Sequence, residues 1–154
     1  MFRKMRRSDR EIGYERILDI LNKGEYGVLS VMTQEGYPYG IPLSYACDEN
    51  AVYFHSANMG HKLDAIEGTP EVSFTVVGNT EVLPDKFSTK FESVVIFGKA
   101  SVLEEDEKVP PLKLLIEKYS PDFIEKGNGY IENDKHKTTV IKLEIDHITG
   151  KARD

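Results

Sequence analysis

From Tyr37 to Cys47 the chain alternates with a period of two: Tyr37, Tyr39, Ile41, Leu43, Tyr45 and Cys47 are separated by Pro38, Gly40, Pro42, Ser44 and Ala46. Only an extended backbone turns successive side chains to opposite faces, so this stretch predicts a strand with one packed face. Pro38 and Pro42 fall in the other phase and bring no N–H to a hydrogen-bond ladder. A strand interrupted twice in this way belongs at a sheet edge or carries a bulge. Its backbone is free to meet something else, and such a place suits a planar ligand. An edge strand distorted with no ligand at all gives the same pattern.

Around it the chain reads as further strands with few helices. Ser8-Asp9-Arg10-Glu11 has the form of a capping box. Tyr14, Ile17, Leu18 and Leu21 follow at helical spacing, which predicts a helix over 8–23 stopped by Gly24. Val28–Thr33 reads as a strand with a turn at Gln34-Glu35-Gly36, and Ala51–His55 as another after the Asp48-Glu49-Asn50 turn. Leu63 and Ile66 mark a short helix ending at Gly68. Glu71–Val77 is a strand, Gly78–Lys90 a loop, and Ser93–Leu103 a long strand in which Gly98 predicts a bulge or a close contact. Pro110-Pro111 open a helix through Leu112, Leu115, Ile116 and Tyr119. A further short helix after Ser120-Pro121 is broken by Gly127-Asn128-Gly129, and Thr138–Ile145 forms the last strand.

Strands joined by tight turns predict an antiparallel sheet. Six of them in one small domain predict a barrel with helices at its mouth and side, a mainly β fold with peripheral helices. The single domain, 1–154, divides into an N-terminal arm and helix (1–24), a barrel core (25–103), a helical segment (104–137) and a final strand (138–151). No Gly-x-Gly-x-x-Gly fingerprint marks a dinucleotide-binding Rossmann unit.

The second informative stretch is Tyr53-Phe54-His55-Ser56-Ala57-Asn58-Met59-Gly60-His61-Lys62-Leu63. It reads as a strand end, a polar loop and the first turn of a helix. Free N–H groups and the helix dipole converge there. Ser56 adds a hydroxyl, Gly60 permits close approach and Lys62 adds a charge, which together suit a phosphate without a metal. His61 and Lys62 standing simply in solvent, and His55 as a hydrogen-bonded structural histidine, are the plain alternatives. No Cys or carboxylate joins His55 and His61 at metal-ligand spacing.

Bulk properties exclude several classes. A net charge of −6 and a pI near 5.3 argue against nucleic acid or an acidic membrane as the main partner. Arg3-Lys4-Met5-Arg6-Arg7 reads as a solvated arm. The single Cys47 forms no intrachain disulfide and fits a reducing, cytoplasmic setting. No apolar run approaches membrane-spanning length.

Met5-Arg6-Arg7-x-Asp9-Arg10-Glu11, Gly36-Tyr37-Pro38-Tyr39-x-Ile41-Pro42-Leu43-Ser44, Tyr53-Phe54-His55-Ser56-Ala57 with Gly60-x-Lys62, Ser93-Val94-Val95-Ile96-Phe97-Gly98 and Ile148-Thr149-Gly150-Lys151 occur in that order. This set resembles the nitroimidazole-resistance reductases, a branch of the pyridoxamine 5′-phosphate oxidase-like, FMN-binding split-barrel flavoproteins. The resemblance implies a six-stranded antiparallel split β-barrel and a homodimer with FMN, or FAD in its place, at the subunit interface. It implies a phosphate grip by Ser56, Ala57, Gly60, His61 and Lys62. The flavin ring would lie along Ile41, Pro42, Leu43 and Ser44, with Ser93 and Val94 touching it and His55 at the reactive ring edge as the catalytic residue. NADH, NADPH or another donor and a small electron-poor acceptor such as a nitro-aromatic would be the reactants. The true oxidases carry an arginine-bearing C-terminal segment for their substrate phosphate and this sequence shows no comparable one, so pyridoxamine phosphate oxidation is not the expected activity; they also commonly have arginine where His61 stands, which implies weaker phosphate binding here, or FAD in place of FMN. A non-enzymatic flavin store or sensor, and a haem-handling split barrel, are the rival functions.

Overall fold

A computed structural model describes residues 1–154. In chain order it comprises α1 (Tyr14–Lys23), β1 (Gly27–Met32), β2 (Pro38–Leu43), β3 (Ala46–Cys47), β4 (Ala51–Ala57), α2 (His61–Gly68), β5 (Glu71–Leu83), β6 (Ser88–Val102), α3 (Val109–Tyr119), α4 (Ile124–Asp134) and β7 (Thr138–Arg153). The strands form one antiparallel sheet in the order β2-β1-β5-β6-β7-β4-β3. The six-stranded barrel expected from sequence is therefore corrected to seven strands in an unclosed sheet, with β2 and β3 as its two edges. No helix is long and apolar enough to cross a membrane.

The seventh strand arises because the Tyr37–Cys47 run breaks at Ser44-Tyr45. The Tyr45 N–H leaves the ladder and donates to the Tyr119 hydroxyl at 2.9 Å, and its own hydroxyl donates to the Leu21 carbonyl at 2.6 Å. β2 pairs only with β1, as its two prolines require.

The expected helix over 8–23 begins later. Ser8–Arg10 is a lone 3-10 turn without a side-chain cap, and the chain then stays extended. The cause is the sheet: the Ile12 N–H donates to the Gly150 carbonyl at 3.1 Å and Glu11 bridges Lys151. The basic side chains Arg3, Lys4 and Arg6 are exposed, yet Phe2 stacks on His147 and Phe97 at 4.8 and 5.4 Å.

The stretch Gly78–Lys90 is mostly strand rather than loop. β5 and β6 pair out to Leu83 and Ser88, shifting register between Val77 and Thr80. At that shift the Asn79 N–H donates to the Glu92 carboxylate at 3.1 Å. The hairpin ends in a 3-10 turn, Pro84–Lys86, followed by Phe87 with φ 48° and its side chain in solvent. β7 likewise runs on to Arg153, beyond the predicted Ile145. α4 continues through Gly127-Asn128-Gly129, because Gly127 lets two helices touch: a Cβ there would lie 2.7 Å from Ile116 Cδ1.

Alternation divides the apolar residues between two cores. Leu29, Phe54, Phe74, Val76, Val94, Ile96, Ile141 and Leu143 line the inner face of the sheet, fully buried, and Ile17, Ile20 and Leu21 of α1 pack on them. Phe74 meets Tyr45 and Phe54 edge-on, with centroids 4.9 and 5.0 Å away. Each such residue contributes about 1.5–3 kcal/mol by leaving water. On the other side of β4 and β7, Ala46 and Val140 pack with Leu112, Leu115 and Ile131 of α3 and α4.

The bulge predicted at Gly98 is present, with the β6–β7 register shifting between Phe97 and Gly98. A Cβ at Gly98 would run into the Glu144 carbonyl oxygen. Gly98→Ala is therefore expected to destabilise the fold by roughly 2–4 kcal/mol in urea unfolding, and an unchanged midpoint would show that the bulge relaxes freely.

Candidate functional site

The pleat of β4 decides which side chains can meet. Phe54 lies opposite Ile141, and both point into the inner core. His55 lies opposite Val140, whose side chain belongs to the cluster under α3 and α4, so His55 projects to that side. Ser56 turns back again, opposite Thr139, and its hydroxyl donates to the Ala57 carbonyl at 2.9 Å. His55 and Ser56, adjacent in sequence, thus serve opposite faces of the sheet. Beyond Ala57, which is exposed, the Thr139 hydroxyl donates to the Asn58 side-chain oxygen at 2.8 Å.

The β4–α2 connection ends at Gly60, with φ 151° and ψ 164°, as the residue before the helix. This is a conformation only glycine adopts without strain, and open space surrounds the position a Cβ would take. The Gly60 carbonyl accepts from the Leu63 and Asp64 N–H groups at 3.1 and 3.3 Å. No side chain caps the helix, which leaves the N–H groups of His61 and Lys62 available to an external acceptor.

β2 stands beside this helix start. The His61 ring tilts against Tyr39 with centroids 5.0 Å apart, and its Nε2 lies 3.5 Å from the Glu35 carboxylate. The Glu35 carboxyl is held below the usual carboxylate range, first by its own backbone N–H and then by His61. Lys62 is half-buried. Gly60 and Leu63 also line a cavity of about 650 Å³ shared with Asn58, Met59, Asp64 and Glu67.

In β2, Ile41 and Leu43 are half-buried against the inner core, while Pro42 and, just past the strand, Ser44 are exposed. Register carries Pro42 across to Val28 of β1, Thr75 of β5 and Val95 of β6, one row on the outer face. Ser93, half-buried, lies opposite Val77 on the same face, whereas Val94 is fully buried inside. β1 and β5 separate Pro42 from Ser93, so the two are roughly 14 Å apart across the sheet at ~4.8 Å per strand. A cavity of about 710 Å³ is lined by Val28, Ser30, Thr75, Val77 and Glu92 together with Asp19, Ile20 and Lys23 of α1. The structure therefore brings β2 and the start of α2 to one corner. It sets Ser93 across the face from that corner and sends His55 to a separate cleft with Ser44.

That second cleft has a support that sequence periodicity does not reveal. Tyr119 falls at core spacing in α3, but its hydroxyl accepts the Tyr45 N–H and donates to the Glu25 carbonyl at 2.7 Å. Lys118 Nζ sits 3.6 Å over the Tyr45 ring and donates to the Leu21 carbonyl at 3.2 Å, burial lowering its pKa. Its only legible trace in sequence is a Lys-Tyr pair at a helix end. No group of three His, Cys, Asp or Glu side chains is placed to hold a metal.

One antiparallel sheet with peripheral helices defines a mainly β protein, and comparison identifies its fold as pyridoxamine 5′-phosphate oxidase-like. The pyridoxamine 5′-phosphate oxidase family model matches residues 14–152, and the chain belongs to that family. No curated protein matches it. Among solved structures it is similar to a candidate 5-nitroimidazole antibiotic resistance protein from Bacteroides thetaiotaomicron, with TM-score 0.80, 23% identity and coverage of 92% of this chain and 86% of that one. It is also similar to the flavocytochrome Anf3 from Azotobacter vinelandii, with TM-score 0.83, 21% identity and coverage of 98% and 72%. The FAD and heme binding protein from Mycobacterium smegmatis matches at TM-score 0.83 and 18% identity, covering 94% and 74%.

Cys47 lies beside Lys118 and is pushed up to about 12 by burial. Only about one thiol in ten thousand is then ionised at pH 8. Iodoacetamide at pH 8 is expected to leave Cys47 unmodified in the native protein and to alkylate it in 6 M guanidinium, as read by intact mass; rapid native alkylation would contradict this burial.

Proposed function

We propose that the protein is a flavin-dependent reductase. Two copies of the chain hold FMN between them, and electrons pass from NADH or NADPH to a small electron-poor acceptor such as a nitro-aromatic. The observation that carries this reading is the uncapped N-terminus of α2 standing beside the proline-interrupted edge strand β2. Membership of the pyridoxamine 5′-phosphate oxidase family supports it, as do the flavocytochrome and the FAD- and haem-binding protein of similar fold.

The residues present fit a flavin phosphate. Gly60 leaves room for an anion against the backbone, the amides of His61 and Lys62 are unclaimed by any cap, and Lys62 brings a positive charge. Ser56 and Ala57 end the strand that leads there. Ile41, Pro42, Leu43 and Ser44 would flank the ring, whose long edge follows β2. Ser93 is too far across the sheet to share that ring within one chain, and Val94 offers only its backbone. On the face that Pro42 and Ser93 share, Val77 is 59% exposed, and Phe97, stacked by Phe2, is 40% exposed. A second copy packed on this face would supply Ser93 to the ring. FAD is the alternative flavin, favoured by the FAD-binding protein from Mesorhizobium loti among similar structures.

Bound flavin would supply reversible electron transfer between the nicotinamide donor and the acceptor. The chain itself binds the phosphate, orients the ring, excludes water and delivers a proton from the His55 imidazole to the acceptor. The protein is expected to purify yellow or to take up one FMN per chain, and NADPH with a nitro-aromatic should cycle the flavin spectrum. Lys62→Glu should weaken FMN binding at least roughly tenfold through loss of the charge. His55→Ala should leave FMN affinity intact and cut turnover by roughly a hundredfold. A protein that binds no flavin would overturn the reading. Bound flavin that NADPH and acceptor never cycle would make the chain a store or sensor, and unchanged turnover in His55→Ala would remove that residue from the chemistry.

A further inference from the structure

We infer that the cleft between α3, α4 and the outer side of β4–β7 is a binding site for a flat, uncharged aromatic molecule bearing a carbonyl or nitro oxygen, with His55 meeting that oxygen. It deepens the reductase reading by naming an acceptor class, and it rests on that reading only for the source of electrons. The binding stands on the cleft alone.

The cleft holds about 540 Å³, within the range of small-molecule sites. Leu112, Leu115, Ile116 and Ile131 form an aliphatic wall, and Tyr119 and Tyr130 add aromatic surface. Polar groups come from the sheet: His55 of β4, the Thr138 hydroxyl of β7 and Ser44 at the end of β2. Register puts His55 opposite Val140, on the side the helices cover, and Ala57 opposite Thr138, so His55 and Thr138 share that side. Of the four histidines, His61 alone forms an ion pair with a carboxylate. Asp134 and Lys135 offset each other at the lining, and no unbalanced charge awaits an ionic ligand there.

The gap is built rather than left over. At one end Tyr119 ties α3 to the Glu25 carbonyl and the Tyr45 backbone. At the other the buried Lys108, before α3, donates to the Lys135 carbonyl, just past α4, at 3.1 Å and to Glu105 at 2.8 Å. Between these ties Gly127 brings α4 hard against Ile116. α3 is thus tied at both of its ends and touches α4 between them, which fixes the wall of the cleft in place. The aromatic rim and aliphatic wall favour a planar apolar body. Ser44 is both the last residue of the proposed ring-side run and a lining residue of the cleft, so an occupant lies next to β2.

The test uses the full chain with ¹³C-labelled Leu and Ile methyls, titrated with menadione without nicotinamide, once with FMN and once without. The methyls of Leu112, Leu115, Ile116 and Ile131 should shift saturably. His55→Ala should weaken menadione binding roughly tenfold and leave 2-methylnaphthalene, which lacks the oxygens, unchanged. Tyr130→Ala, at an exposed position, should weaken both. Menadione binding in a protein that takes up no flavin would sink the flavin reading alone. A flavin-bound protein whose cleft methyls ignore menadione would sink the cleft alone. So would cleft methyls that move on diluting the protein but not with menadione, because a second copy would then cover the cleft.

Discussion

The two-residue alternation of a pleated strand governs this protein more than any single contact. Along β4 it sends Phe54 into the inner core, His55 to the face on which α3 and α4 pack, and Ser56 back to the face of Phe54. One strand therefore serves both faces within three residues. The same rule on β2 and β6 turns Ile41, Leu43 and Val94 inward and Pro42 and Ser93 outward. A slip of one residue would exchange every one of these faces, and the fully buried inner rows of Phe54, Phe74, Ile96 and Ile141 are what forbid it.

Backbone hydrogen bonds taken by side chains then set where the regular elements stop. The Tyr45 N–H goes to Tyr119 rather than to a neighbouring strand, which ends β2, starts β3 and leaves the sheet unclosed. The same tyrosine hydroxyl couples the α3 end to the α1–β1 junction through the Glu25 carbonyl. Glycines act by permitting approach: Gly98 beneath Glu144, Gly127 against Ile116, and Gly60 where the chain turns into α2. The helical pair, the sheet edge and the α2 corner are thus parts of one frame, and the proposed cofactor and acceptor regions adjoin at Ser44.

Much of this frame was legible in the residues. The prolines at 38 and 42 mark β2 as an edge, and the strand–loop–helix at 53–63 puts the start of α2 at His61, where the structure has it. The hairpin arm at 78–91 was not legible, because residues such as Asn79, Thr80, Glu81 and Val82 are exposed and carry no apolar alternation to mark a strand. Nor was the continuation of α4 past Gly127: a short helix is expected after Ser120-Pro121, but glycine predicts a break from local propensity, while at Gly127 tertiary contact with Ile116 overrides it. The separation of His55 from Ser56 follows from strand phase, but what covers each face depends on α3 and α4, which are distant in sequence. The Tyr119 latch has no local signature, since its spacing alone assigns it to a core.

The account turns on an anion meeting the open start of α2 while a planar ring follows β2 toward a second copy. A crystal structure of the protein grown with riboflavin 5′-phosphate measures this most directly. The account predicts phosphate oxygens within hydrogen-bond distance of the His61 and Lys62 amides, with the ring between Pro42 of one protomer and Ser93 of its partner. Phosphate density elsewhere, or a ring bound wholly within one chain away from β2, would contradict it.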